Sequence, residues 1–125
     1  MMEYLGLVWA GIHVEDLAAS ISFYQDVLGL RLLGQGGEWA HFDAGAGTLL
    51  ELFTGGKSTS EPKRPDQQSI VLGLRVADLD RAVAELKEKG VPFIPEAGGE
   101  FEGTRWAHFF DSEGNRLEVK EIPQT

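Results

Sequence analysis

The chain contains the same uncommon tetrapeptide twice, and this duplication constrains its fold more than any other feature. Trp-Ala-His-Phe occupies residues 39–42 and again residues 106–109, which lie 67 positions further along. Val14–Leu17 and Val76–Leu79 also match, but at an offset of 62 positions. The second copy therefore carries a short insertion. Self-similarity over such a distance predicts two copies of one folding unit.

A polar segment separates the two copies. Residues 54–68 are rich in Gly, Ser, Pro and charged side chains, which cannot bury an apolar face. Beyond this segment the match resumes, because Gly47–Leu52 and Gly114–Val119 again lie 67 positions apart. We therefore predict a single domain over residues 1–125, in which a first module (4–54), a linker (55–68) and a second module (69–122) follow one another.

Each module opens with a segment whose alternation predicts a β-strand, Leu5–Val14 in the first and Ile70–Val76 in the second. One side of each strand is uniformly apolar, and we expect it to pack against helices. The other side is mixed. It consists of Leu7, Trp9, Gly11 and His13 in the first module, and of Val71, Gly73 and Arg75 in the second.

The remaining elements follow in the same order in both modules. Asp16 and Asp78 are predicted N-caps of two helices that end at Gly29 and Gly90. Three strands follow each helix, at Leu30–Leu33, Glu38–Ala44 and Thr48–Phe53 in the first module and at Val91–Ile94, Arg105–Asp111 and Arg116–Glu121 in the second. The sequence thus predicts an α+β protein built from two βαβββ modules.

The hairpin loop Asp111–Asn115 sets the register of the last two strands, because its glycine suits the left-handed position of a three-residue loop. In this register His108 lies opposite Glu118, and the same register in the first module places His41 opposite Glu51. The tryptophans two residues from the histidines, Trp39 and Trp106, share these faces.

A His–Glu pair of this kind allows several interpretations. The carboxylate can act as a general base, bind a metal, or orient the imidazole. It can also be an ordinary cross-strand contact worth less than ~1 kcal/mol. An ancestral duplication copies an inert pair as readily as a working one, so the spacing leaves these alternatives open.

Three motifs make the chain recognisable, namely Val14–Ser20, Phe23–Leu30 and Asp111–Glu118. Together with the helix from Asp78 to Gly90 they cover nearly the whole chain. The sequence resembles the vicinal oxygen chelate superfamily, which comprises glyoxalases, bleomycin resistance proteins and extradiol dioxygenases. The resemblance implies that the two modules form a U-shaped mixed sheet around a cleft, with helices on the outer face and the mixed strand sides inside.

The resemblance also identifies the positions of the metal ligands in this family. Glu51 and Glu118 match the carboxylates of the last strands, whereas the first-strand histidine is replaced by Trp9 in one module and Val71 in the other. Since neither replacement binds a metal, and His13 is four residues too late, we expect no metal cofactor. A divalent metal displaced onto His41, Glu51, His108 and Glu118 is the alternative.

The inward faces implied by the resemblance are aromatic, with a few polar groups, as ligand pockets are. We therefore expect the protein to bind a small organic molecule that contains an aromatic part. The predicted ligand-binding residues are Trp9, His13, Trp39, His41, Phe53, Arg75, Trp106, His108 and Phe110. Arg75 and His13 are placed to meet an anionic group, although solvated strand ends explain them equally well.

Two other functions stay open at this level. The protein could be a lyase, isomerase or dioxygenase that uses Glu51 or Glu118 as catalytic base, or an interaction module whose aromatic residues pack on one another. The segment Glu96–Gly103, which holds the extra residues of the second module, is either a flap over the cleft or an ordinary hairpin connection.

Charge and composition limit the partners. The formal net charge is −9, which disfavours nucleic acid and anionic membranes, and the chain contains no cysteine. The residues after Met1 lack the pattern of a secretory signal, so we expect a cytoplasmic protein. The family resemblance further implies a homodimer.

Overall fold

The computed structural model describes residues 1–124 of the chain. It divides into two compact units, one formed by Met1–Lys57 and the other beginning at Ser58. Each unit contains one four-stranded sheet. None of the helices within residues 1–124 is long and apolar enough to cross a membrane.

The first module is a βαβββ unit, as predicted. Its elements are β1 (Trp9–Val14), α1 (Leu17–Ser22) with a π-helical continuation (Phe23–Val27), β2 (Arg31–Gln35), β3 (Trp39–Asp43) and β4 (Leu49–Thr54). The strand order is β1-β4-β3-β2, in which β1 and β4 are parallel and the other neighbours antiparallel.

The second module repeats this arrangement. Its elements are β5 (Leu72–Arg75), α2 (Leu79–Glu88), β6 (Phe93–Phe101), β7 (Thr104–Phe110) and β8 (Arg116–Glu121). The strand order β5-β8-β7-β6 is the same as in the first module, again with one parallel pair, β5 and β8. The predicted α+β class and the tandem βαβββ modules are therefore confirmed.

The helix boundaries follow the predicted signals. The carboxylates of Asp16 and Asp78 accept hydrogen bonds from the backbone N–H of Ala19 and Arg81, at 3.0 and 3.1 Å. Gly29 and Gly90 adopt φ of 80° and 82°, the left-handed conformation that ends a helix at low cost in glycine.

One side of each sheet packs against its helix and forms the core. Alternate strand residues on this side are buried in both modules, as the period of two requires. The core of the first module contains Val14, Tyr24, Ala40, Phe42, Leu50 and Leu52, and that of the second contains Leu79, Leu86, Val91, Phe109, Leu117 and Val119.

The prediction that the first strand begins at Leu5 is wrong, because β1 begins at Trp9. The apolar side chains of Leu5, Leu7 and Val8 are exposed. Only isolated hydrogen bonds hold this segment, such as the one from Leu49 N–H to Val8 O at 2.9 Å. The alternation of residue types therefore begins four residues before the first residue that pairs with a neighbouring strand.

The segment Glu96–Gly103 forms the hairpin connection, the second of the two predicted alternatives. β6 continues to Phe101, and its residues Gly99 and Phe101 pair with Trp106 and Thr104 of β7. An irregularity in pairing between Ile94 and Gly99 accommodates the extra residues. Backbone groups at the end of this glycine-containing segment are thus paired with β7.

The predicted linker is bonded to the β7–β8 loop. Thr59 N–H donates to Glu113 O at 2.9 Å, and Lys63 Nζ donates to Asn115 Oδ1 at 2.7 Å. Gln68 exchanges two hydrogen bonds with the backbone of Arg116, at 2.6 and 2.8 Å. A segment without apolar side chains to bury is therefore ordered by its polar groups.

Candidate functional site

The sheet side opposite the helix, here called the open face, carries the predicted site residues in both modules. The strand register is the predicted one, with His41 opposite Glu51 and His108 opposite Glu118. Neighbouring strands align their side chains in rows across the sheet. The open faces hold Trp9, His13, Trp39, His41, Glu51 and Phe53 in the first module, and Arg75, Trp106, His108, Phe110 and Glu118 in the second.

In the first module the carboxylate of Glu51 has one hydrogen-bond donor, Trp9, and an imidazole neighbour, His41. Trp9 Nε1 donates a hydrogen bond to Glu51 Oε1 at 3.1 Å, and His41 Nε2 lies 3.5 Å from Glu51 Oε2. The Glu51 side chain is 24% exposed, so the carboxylate meets solvent at the sheet surface. Trp9 and His41 come from different strands, β1 and β3, and together they fix the orientation of Glu51.

Gly11 makes this arrangement sterically feasible. It lies opposite Glu51 in the row, and the indole of Trp9 crosses over it. A Cβ at Gly11 would overlap the Trp9 ring and lie 2.9 Å from Cε1 of Phe53. The absence of a side chain at residue 11 therefore lets the indole reach the carboxylate.

Aromatic and imidazole rings surround Glu51. The ring centroids of His13 and Phe53 are 3.9 Å apart, those of Trp9 and Phe53 are 6.3 Å apart, and those of Trp39 and His41 are 4.6 Å apart. Trp9 is 49% exposed and Trp39 is 38% exposed. The open face of the first module thus presents two partly exposed indoles beside a held carboxylate.

His13 is anchored away from the carboxylate. Its Nδ1 lies 3.0 Å from the carbonyl oxygen of Thr54. A carbonyl oxygen only accepts, so Nδ1 carries the proton and donates it. In the neutral ring Nε2 is then an acceptor, which leaves His13 able to receive a hydrogen bond from a ligand.

The remaining open-face acid of the first module is Asp43. Its carboxylate accepts a hydrogen bond from Gly45 N–H at 2.8 Å and another from Arg31 Nη2 at 3.0 Å. The backbone hydrogen bond from Gly45, followed by the hydrogen bond and charge of Arg31, holds the pKa of Asp43 below its usual value. Asp43 therefore stays ionised in a pair with Arg31.

The second module holds Glu118 with a different pair of donors. His108 Nε2 lies 3.0 Å from Glu118 Oε2, and Lys120 Nζ lies 3.2 Å from Glu118 Oε1. This pair is less exposed than the one in the first module, at 15% for His108 and 16% for Glu118. Gly73 occupies the equivalent of Gly11, and a Cβ there would lie 2.8 Å from Glu118 Oε1.

A second row of the second module combines charge with an indole. Arg75 pairs in register with Lys120, and Lys120 in turn pairs with Trp106. Lys120 Nζ lies 5.6 Å from the centroid of the Trp106 ring, within reach of a cation–π contact. Phe110 lies one row beyond His108, opposite Arg116.

The residues present do not fit the family's usual metal site. Among residues 1–124 no group of three or more His, Asp or Glu side chains is arranged to hold a metal ion. Trp9, at the position of the first-strand ligand, donates to the carboxylate that a metal would need. Within each module the histidine and the glutamate of the alternative, displaced site are turned toward each other.

Sequence reasoning missed two features. Lys120 was not singled out, although its position two residues after Glu118 on a strand places it on the same face. A groove of about 530 Å³ was also missed. It is lined by Leu17, Ala18, Ile21, Gln35, Gly36 and Gly37, and the Gly36–Gly37 pair next to an exposed helix side was its only signal.

Comparisons with known proteins agree with this architecture. The Glyoxalase/Bleomycin resistance protein/Dioxygenase superfamily profile matches residues 6–119. The uncharacterized protein YraH of Bacillus subtilis (strain 168) is 34% identical over 116 residues, which cover 85% of this chain and 90% of that protein.

Two solved structures illustrate the range of similar folds. The antibiotic binding protein TnmS3 from Streptomyces sp. CB03234 is 25% identical with a TM-score of 0.74, and the match covers 98% of this chain and 100% of that one. Lactoylglutathione lyase from Agrobacterium tumefaciens is 22% identical with a TM-score of 0.73 and 96% coverage of both chains, a likeness of fold alone. The match over residues 6–119 shows that the chain belongs to the glyoxalase/bleomycin resistance protein/dioxygenase superfamily.

Proposed function

We propose that the protein binds a small organic molecule with a planar aromatic part on its open faces, without using the metal site of its family. The observation that carries the proposal is the open face of the first module. There Trp9 and Trp39 remain partly exposed beside a carboxylate that accepts a hydrogen bond from Trp9 and lies 3.5 Å from the imidazole of His41. Large partly exposed aromatic side chains next to a few fixed polar groups are typical of ligand sites.

Aromatic contact supplies the main driving force in this proposal. A flat ring system that covers the indoles of Trp9 and Trp39 removes apolar surface from water, which contributes about 25 cal/mol per Å². Offset stacking adds about 0.5–1.5 kcal/mol for each ring pair. Both rings are partly exposed on the open face, so a ligand meets them without displacing the core.

Polar groups orient the ligand. Glu51 is held by Trp9 and His41 and keeps lone pairs toward solvent, so it accepts a hydrogen bond from a ligand O–H or N–H. His13 offers its Nε2 as a further acceptor, because Nδ1 donates to Thr54. These groups favour ligands that carry hydrogen-bond donors at the edge of the aromatic part.

The similarity to an antibiotic binding protein supports a binding function. That protein is 25% identical to this chain and matches 98% of it. The absence of a ligand set for a family-type metal among residues 1–124 points the same way, because the metal-dependent activities of the family need such a set.

An enzymatic function is the second candidate, and it is favoured by the second module. The 3.0 Å separation between His108 and Glu118 is that of a hydrogen-bonded acid–base pair, and both side chains are part-buried. In this alternative Glu118, or Glu51 in the first module, removes a proton from the ligand in a lyase, isomerase or dioxygenase reaction.

Ligand-induced thermal shifts test the binding proposal. The wild type, Trp39→Leu and the control Tyr4→Leu, whose ring is exposed outside the strands, are each heated with a panel of planar aromatic compounds. Saturation at about 100-fold over Kd stabilises the wild type and the control by nearly 3 kcal/mol. Trp39→Leu should lose most of that shift. Equal shifts in all three proteins, or no shift with any compound, contradict the proposal.

Elemental analysis tests whether the protein binds ligands without a metal. The wild type is compared with the Glu51→Gln/Glu118→Gln variant after purification. A binder of the proposed kind contains no stoichiometric divalent metal in either protein. Stoichiometric metal that disappears in the variant contradicts the metal-free proposal and favours the enzymatic one.

A further inference from the structure

The open face of the second module is positively charged in a protein of net charge −9. Along β8 the side chains that point to this face are Arg116, Glu118 and Lys120, and β5 adds Arg75 beside Lys120. Along β5, β7 and β8 this face therefore carries three strong cations and one carboxylate. The excess of cations on one sheet face, against the overall charge, requires an explanation.

Most of this charge is not neutralised by protein groups. Lys120 forms an ion pair with Glu118 at 3.2 Å, which uses the one carboxylate of β8 that points to this face. The guanidinium of Arg75 makes no hydrogen bond or ion pair within residues 1–124 and is exposed. Arg75 is thus a free, planar donor of the kind that binds carboxylates through two parallel hydrogen bonds.

An aromatic surface lies in the same row as this cation. Arg75, Lys120 and Trp106 occupy adjacent strands in register, so the Cα atoms of Arg75 and Trp106 are about 10 Å apart at ~4.8 Å per strand. The indole of Trp106 lies across Gly99, where a Cβ would be 2.7 Å from its Cζ2. The row therefore presents a cation at one end and a flat ring at the other.

Resting on the proposed function, which places planar aromatic ligands on the open faces, we propose that the open face of the second module selects planar aromatic carboxylates. The guanidinium of Arg75 binds the carboxylate, and the aromatic part lies against Trp106. Lys120 stands between them, held by Glu118, and adds a second positive charge near the carboxylate. Compounds with one, two and three rings test different separations between the carboxylate and the contact with the indole.

Comparison with the first module shows why we assign the carboxylate of the ligand to the second module. In the first module the corresponding row consists of His13, Phe53 and Trp39, so Phe53 replaces Lys120 and His13 replaces Arg75. That row offers rings and no permanent cation. The row of the second module keeps the indole and replaces the other two groups with charges.

Matched pairs of acid and amide test the inference. Benzoate, 2-naphthoate and anthracene-2-carboxylate are each titrated beside the corresponding primary amide, with binding followed by calorimetry. The wild type, Arg75→Gln and Arg75→Lys are compared with the control Arg81→Gln, whose guanidinium pairs with Glu85 on helix α2. The wild type and the control should bind at least one acid about tenfold more tightly than its amide.

The variants and added salt give the decisive contrasts. Arg75→Gln should bind acid and amide with equal affinity, Arg75→Lys should keep part of the preference, and the affinity of the wild type for the acid should fall with ionic strength. Equal affinity for acid and amide in the wild type, or an unchanged preference in Arg75→Gln, overturns the inference and leaves the proposed function intact. Binding of none of the six compounds also overturns the inference, whereas the proposed function fails only when the thermal-shift panel gives no shift that depends on Trp39.

Discussion

The two modules share one row of their open faces and differ in the rows beside it. Gly11, Glu51 and His41 in the first module correspond to Gly73, Glu118 and His108 in the second. In both modules a glutamate lies between a glycine and a histidine, with nearly the same register and the same His–Glu pairing. The duplication has thus preserved the groups that fix one carboxylate at the sheet surface.

The residue that contacts Oε1 of the glutamate differs between the two modules. Trp9 donates to Glu51 from the neighbouring strand, whereas Lys120 donates to Glu118 from the same strand. The counterparts of these donors are Val71 and Phe53, which cannot donate. In each module one donor therefore contacts Oε1 of the glutamate, but the two donors come from different strand positions. The contact to the carboxylate is preserved although the residue that makes it has changed.

The largest predicted effect on stability concerns the buried phenylalanine that the two modules share, Phe42 in the first and Phe109 in the second. Phe42→Ala and Phe109→Ala each remove a fully buried ring that stacks on one neighbour, Tyr24 or Phe93. Each should lower the free energy of unfolding by about 3–5 kcal/mol in denaturant titrations. The control Phe101→Ala, at an exposed ring, should cost less than ~0.5 kcal/mol. A cost below ~1 kcal/mol for one of the two core variants contradicts the equivalence of the modules.

Alanine at the two row glycines should separate the modules. In Gly11→Ala the new methyl meets two packed rings, so we expect a loss of about 1–3 kcal/mol and displacement of the Trp9 indole. In Gly73→Ala the new methyl meets only the end of the Glu118 side chain, which rotates away at a cost below ~1 kcal/mol. Denaturation and tryptophan fluorescence measure both effects. Equal costs would show that the ring packing over Gly11 has no energetic role.

A double-mutant cycle can convert one donor arrangement into the other. Trp9→Val removes the donor of the first module, and Phe53→Lys introduces one at the position that Lys120 occupies in the second. The double variant should be more stable than the sum of the single effects predicts, by about 0.5–1.5 kcal/mol. Additive single effects contradict the idea that the two donors are interchangeable. Trp9→Phe, which keeps a ring without the N–H, isolates the hydrogen bond.

The smallest effect concerns Asp43, whose counterpart in the second module is Phe110. Because the pKa of Asp43 is lowered in the folded protein, its ionised form adds stability above its unfolded pKa. That stability is lost as the pH falls through the folded pKa, below about pH 4. Asp43→Asn should therefore lose less stability than the wild type in this range, and identical pH dependence of unfolding contradicts the assignment.

Local signals in the sequence were sufficient for the framework of the fold. The caps Asp16 and Asp78 and the loop Asp111–Asn115 have backbone requirements that particular residue types satisfy, and alternation along a strand assigns each side chain to a face. The register of His41 with Glu51 and of His108 with Glu118 followed from these signals alone.

The contacts on the open faces could not be predicted in the same way. The bond from Trp9 to Glu51 depends on a rotamer that is available only because Gly11, on the same strand, has no Cβ. The pairing of Lys120 depends on the side chain of Glu118 and on Trp106, which comes from the neighbouring strand β7. Long side chains choose among several rotamers according to such neighbours, and face assignment does not determine the choice.

Ligand binding at the open faces is measured most directly by a ¹H–¹⁵N NMR titration that follows the indole N–H signals of Trp9, Trp39 and Trp106. The structure places all three indoles on the open faces. Addition of a planar aromatic compound is predicted to shift at least one indole signal in a saturable manner, while the backbone signals of Val14, Tyr24 and Phe109 stay unchanged. Saturable shifts confined to the helix side, at Leu17 and Ala18 for example, with all three indole signals unmoved, would contradict binding at the open faces.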